Sequence, residues 1–265
     1  MPTELSPHNP RVAQVRELRT PRGRRAEGRF AAEGPTLLDE ADRSGLHPRE
    51  IFTTAGGLER FAAARWEADG IPVYLVPDRV FERLSDLETP TGVLAVFDLP
   101  ARAVADVLAG DGPVLLLAGV NDPGNAGTLV RSAEAFGAAG VLFGRGGADP
   151  FAAKVVRAAM GSLFRVPVAV VDPEELLAAA AAAGRPVIAT DTEGEDLGVV
   201  GIPANAVLAV GNERRGVRDW LPRWDRAVRI RQRSPAESLN AAVAGSIVLY
   251  EAMRCQDPCQ VAEKP

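Results

Sequence analysis

From Pro113 onward, short apolar runs alternate with stretches of helical periodicity. Val114 to Val120 (VLLLAGV) is a continuous apolar run closed by Asn121, as expected of a strand buried on both faces of a parallel sheet. The pattern then predicts a helix over 127–137, a strand over 141–144, a helix over 151–163 and a strand over 165–171. A helix follows over 173–183, where six consecutive alanines are good helix formers. Strands over 186–190, 206–211 and 227–230 complete the set. Ser234-Pro-Ala-Glu237 reads as a helix start, with Ser at the N-cap, Pro at N1 and Glu at N3, and that helix runs to about Arg254. Strands alternating with helices in this way predict an α/β fold on a parallel sheet.

The chain before Pro113 is a smaller α/β block. Residues 1–30 read as a polar, basic arm that turns helical towards Phe30, and Phe30-Ala-Ala-Glu-Gly-Pro35 reads as the opening of a helix through Leu37 and Leu38. Strands over 50–54, 71–76 and 92–98 alternate with helices over 57–68 and 78–87. A helix over 101–109 ends at the Gly110-Asp-Gly-Pro113 breaker. The expected layout is therefore a basic arm (1–30), a small α/β domain (31–99), a linker (100–112), a larger domain (113–254) and a tail (255–265).

The chain has 265 residues, 46% hydrophobic and 25% charged, a globular balance that excludes disordered and fibrous classes. The uncharged, mostly apolar run Ala241 to Tyr250 is about half of the ~20 residues a membrane span needs. No apolar segment follows the N-terminus, so no secretory signal is expected and the expected compartment is the cytoplasm. Cys255 and Cys259 stand far from His8 and His47, which leaves no zinc-ligand spacing and no histidine well placed as a general base. The net charge is −5, yet residues 1–30 carry seven Arg against three Glu, and residues 214–233 carry eight Arg against Asp219 and Asp225. Of 30 basic residues only Lys154 and Lys264 are lysine, and arginine is the better fork for phosphate. The two clusters read either as phosphate-binding surfaces or as solvated faces in an arginine-rich composition.

In an open parallel sheet, ligands sit beyond the carboxyl ends of the strands. Three segments occupy that position: Asn121 to Arg131 (NDPGNAGTLVR), Gly211 to Gly216 (GNERRG), and Ile230 through Ser238-Leu239-Asn240. A dinucleotide site would need its glycine fingerprint after the first strand, whereas the GRGG at 144–147 follows a later one, and no GK[ST] of a phosphate loop occurs. Taken singly, the polar residues have plain readings. Asn121 or Asn125 can cap a helix, Arg131 can be a solvated helix residue, Glu213 a turn carboxylate, and Ser238 and Asn240 first-turn polar residues.

Together the three segments resemble the SpoU/TrmH branch of the SPOUT RNA methyltransferases. That family carries N-x-P-x-N-x-G-x-x-x-R, here Asn121, Pro123, Asn125, Gly127 and Arg131, then G-N-E-x-x-G, here Gly211 to Gly216, then an Ile-led segment ending in S-L-N, here Ile230 and Ser238 to Asn240. A weaker match is Phe30-Ala-Ala-Glu-Gly34, where members read F-x-x-E-G. Two departures are Arg231 in place of the usual Pro after Ile230, and Arg214-Arg215 within the second motif.

The resemblance implies a SPOUT-type parallel sheet with a C-terminal trefoil knot, a small N-terminal substrate-binding domain and a homodimer. It implies S-adenosylmethionine held by Thr190, Val210, Gly211, Ile230 and Leu239, and transfer of its methyl group to a ribose 2′-hydroxyl of structured RNA, with rRNA of the 23S type favoured over tRNA. Arg131 is implied as the proton-managing residue, with Asn125, Glu213, Ser238 and Asn240 positioning it and the ribose. Guanidinium groups keep their proton at neutral pH, so Arg131 can instead clamp a phosphate whose oxygen, or a water, takes the proton. Arg22, Arg24 and Arg25 are expected on the RNA, and neither metal nor membrane is expected as a partner. The alternative is an RNA-binding protein on the same fold without methyl transfer; a nucleotide-dependent oxidoreductase has only the α/β pattern in its favour.

Overall fold

The computed structural model describes residues 2–61, 63–212, 215–233 and 239–256. They form two compact units, one of Met1–Ala101 with Phe151–Phe164, the other of Arg102–Pro150 with Arg165–Pro265. Among the described residues no helix is long and apolar enough to cross a membrane.

The first unit is a five-stranded mixed sheet with helices. Its elements are β1 (Thr3–Glu4), α1 (Pro10–Glu17), α2 (Pro21–Glu27), β2 (Arg29–Glu33), α3 (Pro35–Arg43), β3 (Glu50–Thr53), α4 (Ala55–Arg60), α5 (Ala63–Ala68), β4 (Val73–Leu75), α6 (Asp78–Leu84) and β5 (Val93–Asp98). The strand order is β1-β4-β3-β5-β2. Two expectations are corrected here. The stretch at Phe30 is a strand, paired antiparallel with β5 from Arg29↔Asp98 to Glu33↔Leu94; Phe30 and Ala32 are buried, and Phe30 stacks on Phe97 with ring centroids 5.5 Å apart. Packing thus overrides the helix propensity of the two alanines, and the helix starts only at Pro35, after Gly34 with φ 112°.

The basic arm is likewise built into the fold. β1 pairs with β4, and Leu5, Val12, Val15 and Leu18 lie in one buried cluster with Phe52, Phe81 and Leu94. The signal was Val12, Val15 and Leu18 recurring every third residue, an apolar helical stripe among arginines.

The second unit consists of α7 (Val104–Leu108), β6 (Val114–Ala118), α8 (Pro123–Ala135), β7 (Gly140–Gly144), β8 (Val168–Val171), α10 (Pro173–Ala182), β9 (Val187–Asp196), β10 (Val207–Gly211), β11 (Arg226–Arg229) and α11 (Ala241–Gln256); α9 (Ala153–Ala159) belongs to the first unit. Six parallel strands run in the order β11-β9-β10-β6-β7-β8. All residues of β6 and β10 are buried, which is why VLLLA and VLAV read as unbroken apolar runs. From β6 the chain adds strands on one side, then crosses to the other for β9, β10 and β11, so a switch point lies between β6 and β10. That is where a parallel sheet opens a crevice.

Close approaches fix this geometry. A Cβ on Gly144 would lie 2.7 Å from the Trp220 ring, and the Trp220 indole donates to the Arg145 carbonyl at 2.9 Å. The start of the GRGG segment therefore seats an indole. α11 lies against α8 and β10, where a Cβ on Gly245 would fall 2.4 Å from the Leu129 side chain and 3.1 Å from Val210. Ser132 and Ser246 hydroxyls join the two helices at 2.7 Å.

Candidate active site

At the carboxyl end of β10 the backbone folds tightly on itself. Asn212 and Gly216 form an antiparallel bridge, with the Gly216 N–H donating to the Asn212 carbonyl at 2.8 Å. A Cβ on Gly211 would lie 2.1 Å from the Gly216 carbonyl carbon, and Gly216 has φ 66°. Both positions therefore need glycine, the first for space and the second for its left-handed backbone.

This turn forms one wall of a cleft of about 1040 Å³. Thr190 at β9, Val210 and Gly211 at β10, Ile230 after β11 and Leu239 before α11 all line it, so the five residues expected to hold a cofactor come together although up to 49 positions separate them. The Thr190 hydroxyl donates to the Ala209 carbonyl at 3.1 Å, which leaves this residue its backbone, its methyl and the acceptor lone pairs of its oxygen for a ligand.

The first and third motifs meet beside the cleft. Asp122, rather than Asn121 or Asn125, caps α8, accepting from the Asn125 N–H at 2.7 Å. The Asn125 side chain is thereby left to accept from Asn240 Nδ2 at 3.0 Å. Asn240 Oδ1 accepts from the N–H groups of Ala242 and Val243 at 2.9 and 3.2 Å, so one side chain both caps α11 and reaches α8. Arg131, two turns along α8, is exposed and makes no hydrogen bond or ion pair among the described residues. Glu213 and Ser238 lie outside the described residues, as does Arg214.

Sequence reasoning missed the charged rim. Asp191, Glu193, Arg215, Arg218, Arg231 and Gln232 also line the cleft. Arg218 donates to Asp191 at 3.0 Å and to Glu193 at 3.1 Å, and its guanidinium lies 5.3 Å from the Trp224 ring centre. Burial pushes the Asp191 carboxyl up, but the Glu193 N–H and Arg218 outweigh it and hold the group below its ordinary range. Arg231, which stands where the family has Pro, is tied to Asp196 at 2.7 Å. The Asp196 carboxyl lies below its usual range, first through the Gly198 N–H and then through Arg231. The high Arg density at 214–233 was the available signal, but spacing did not say which arginines face a cleft.

The RNA set divides. Arg22 and Arg25 on α2 are exposed, whereas Arg24 is only 3% exposed and donates to the Leu18 carbonyl at 2.7 Å. Arg24 is thus corrected from a surface contact to a residue that holds the α1–α2 turn. Among the described residues no group of three or more His, Cys, Asp or Glu converges as a metal site would.

Residues 112–250 match the model of the SpoU rRNA Methylase family, and residues 9–95 match that of the MRM3-like substrate binding domain. A relative in Bacillus subtilis, 23S rRNA (guanosine(2553)-2′-O)-methyltransferase RlmP, is 33% identical over 92% of this chain and 96% of its own length. The 23S rRNA (uridine(2479)-2′-O)-methyltransferase of Streptomyces viridochromogenes is 34% identical over 73% of this chain and 70% of its own. Among solved structures, an AdoMet-bound rRNA methyltransferase from Sinorhizobium meliloti superposes with a TM-score of 0.83 at 32% identity, covering 95% of this chain and 97% of that one.

Proposed function

The chain belongs to the SpoU rRNA methylase family, and from that premise we propose that it transfers a methyl group from S-adenosylmethionine to a ribose 2′-hydroxyl of 23S-type ribosomal RNA. The observation that carries this reading is the meeting of the three motifs: Asn240 bonds Asn125 at 3.0 Å next to Leu239, which lines the same cleft as Thr190, Val210, Gly211 and Ile230. The cleft suits the cofactor. Its volume is at the upper end of small-molecule sites, and it combines apolar walls at Val210, Ile230, Leu239, Ala241 and Ala244 with a lining glycine, Gly211, that carries no side chain.

When bound, S-adenosylmethionine supplies an electrophilic methyl group on a sulfonium. The protein's task is to align a hydroxyl with it and to give one proton a route out. Holding reacting groups at near-attack geometry contributes roughly 7–11 kcal/mol. Asn125 and Asn240, locked to each other and to the start of α11, are the rigid polar pair that orients the ribose. Arg131 is a cation with no partner among the described residues, free to grip the phosphate beside the target nucleotide. That phosphate oxygen or a water then accepts the hydroxyl proton, because a guanidinium keeps its own. Glu213 and Ser238 complete the set in this reading.

The same reading includes a homodimer and a knotted carboxyl terminus. For the dimer, the support is α11, whose Val243 and Tyr250 are 48% and 45% exposed and lie seven residues apart on one face. A single-chain mass in sedimentation would count against it. For the knot, the support is the route of the chain, which leaves central β10 for edge strand β11 and returns to pack α11 on α8 and β10.

The test is transfer of labelled methyl from S-adenosylmethionine to unmodified 23S rRNA and, separately, to tRNA, followed by digestion to nucleosides. A 2′-O-methylated nucleoside from the rRNA is the expected product. Incorporation only into tRNA would replace the substrate, and no incorporation with no cofactor binding would leave an RNA-binding protein without transfer.

A further inference from the structure

Resting on the cofactor reading above, we infer that Arg218 and Arg231 are positioning residues for the cofactor, holding two walls of the cleft in place by ion pairs where the sheet does not. One wall is a bulge. β9 pairs with β10 only as far as Ala189, and with β11 the register jumps from Ala227↔Ala189 to Val228↔Glu195, so residues 190–194 have no partner in either ladder. Thr190, Asp191, Thr192 and Glu193 of this bulge line the cleft. Its ends are pinned, by the Thr190 hydroxyl on the Ala209 carbonyl at 3.1 Å and by Gly194, where a Cβ would lie 2.6 Å from the Ala227 carbonyl carbon and the Val228 nitrogen. Between those ends Arg218 grips the bulge, 3.0 Å from Asp191 and 3.1 Å from Glu193.

A second wall, Ile230 to Gln232, lines the cleft beyond the last ladder residue of β11, Arg229, and belongs to no helix or strand. Arg231 Nε donates to Asp196 Oδ2 at 2.7 Å. Asp196 is itself fixed: its Oδ1 accepts from the Gly198 N–H at 3.0 Å, and its carbonyl accepts from the N–H groups of Val199 and Val200 at 2.9 and 3.1 Å. Asp191 and Asp196 are the sheltered partners, their side chains 12% and 15% exposed, so these pairs are screened less than fully exposed ones. Backbone outside a ladder samples other conformations, and a ligand that fits one of them binds more weakly by the cost of selecting it, so a tether that restricts the free chain raises affinity. Such a tether has a signature that a ladder lacks. Salt weakens it, and a residue that fixes the backbone by other means makes it dispensable. Proline at position 231 would fix φ and give up only the N–H, which makes no backbone hydrogen bond among the described residues.

The experiment is calorimetric binding of S-adenosylhomocysteine, which has no net charge at neutral pH, to the full chain at about 0.05 M and about 1 M potassium chloride. The native chain is compared with Arg218→Met, Arg231→Ala, Asp196→Asn, Arg231→Pro, and Arg231→Pro combined with Asp196→Asn, and thermal melts report on the folding of each. Asparagine keeps the acceptor for Gly198 and removes the charge. At low salt Arg218→Met, Arg231→Ala and Asp196→Asn should each bind roughly two- to fivefold more weakly than the native chain, and high salt should bring the native affinity down towards theirs. Arg231→Pro should bind like the native chain at low salt, and adding Asp196→Asn to it should change little, because the tether has already been replaced. A native affinity indifferent to salt, native affinity in a folded Arg231→Ala or Arg218→Met, or an Asp196→Asn loss undiminished by Arg231→Pro overturns the inference while leaving the cofactor reading intact. Absence of binding by the native chain at either salt concentration overturns both.

Discussion

Arg131 and Arg185 show how differently one side chain can be used in the same unit. Arg131 is exposed, with no partner among the described residues, so its removal disturbs nothing that holds the fold. Arg131→Ala is expected to abolish methyl transfer while leaving S-adenosylhomocysteine affinity within a few-fold; unchanged turnover would remove it from the mechanism. Arg185 is 7% exposed and donates to the carbonyls of Leu108, Gly110, Gly112 and Asn205. Burial lowers its pKa, and the four carbonyls compensate by anchoring the entry to β6. Arg185→Met would strand several of them and should cost roughly 3 kcal/mol or more in urea unfolding; a loss below about 1 kcal/mol would show that water replaces the guanidinium. Little of this contrast was legible in the sequence. The motif residues were, because their order and spacing reflect one constellation, Asn125 and Asn240 included. Arg24, by contrast, looks like its neighbours Arg22 and Arg25, and only the turn of α1 into α2 buries it.

At the level of elements, the parallel sheet was legible because burial on both faces leaves unbroken apolar runs such as β6 and β10. The first unit was less so. β2 is a short strand whose two alanines carry no strand preference, and its identity comes from β5 and the ring of Phe97 beside it. β9 runs on to Asp196, past the expected end at Thr190, because its polar second half pairs with β11 across a register shift at Ala227/Val228. Glycine placement carries more information. At Gly211 a Cβ would meet the carbonyl carbon and oxygen of Gly216 at 2.1 and 2.3 Å and the Val217 nitrogen at 2.3 Å, all backbone atoms that cannot rotate away. Gly211→Ala must therefore open the turn between β10 and Val217. The expected outcome is loss of S-adenosylhomocysteine binding by more than about tenfold, since even a 1.4 kcal/mol distortion of the bound geometry is that large. Native affinity in this variant would mean that the turn takes no part in holding the cofactor.

For the molecule as a whole, a net charge of −5 has to be reconciled with an RNA substrate, and the reconciliation lies in which charges remain unpaired. Of the seven arginines in residues 1–30, Arg11 and Arg29 pair with Glu50, Arg19 with Asp86, and Arg24 is buried. Arg16, Arg22 and Arg25 are exposed and without partners among the described residues. These three are where phosphate can bind without first breaking an ion pair. Deleting residues 1–30 would not isolate that contribution, because Leu5, Val12, Val15 and Leu18 would leave the core of the first unit with them. Substitution separates the terms. Each phosphate contact contributes about 0.7–0.9 to the slope of log affinity against log salt, so Arg22→Ala with Arg25→Ala should flatten the slope for rRNA by roughly 1.4–1.8 and leave the melting temperature unchanged. Arg24→Ala should do the reverse, lowering the melting temperature through the lost bond to Leu18 while leaving the slope of the folded protein intact. If the double variant keeps the native slope, α2 lies away from the RNA, and the phosphate contacts must be sought among the arginines of 215–233.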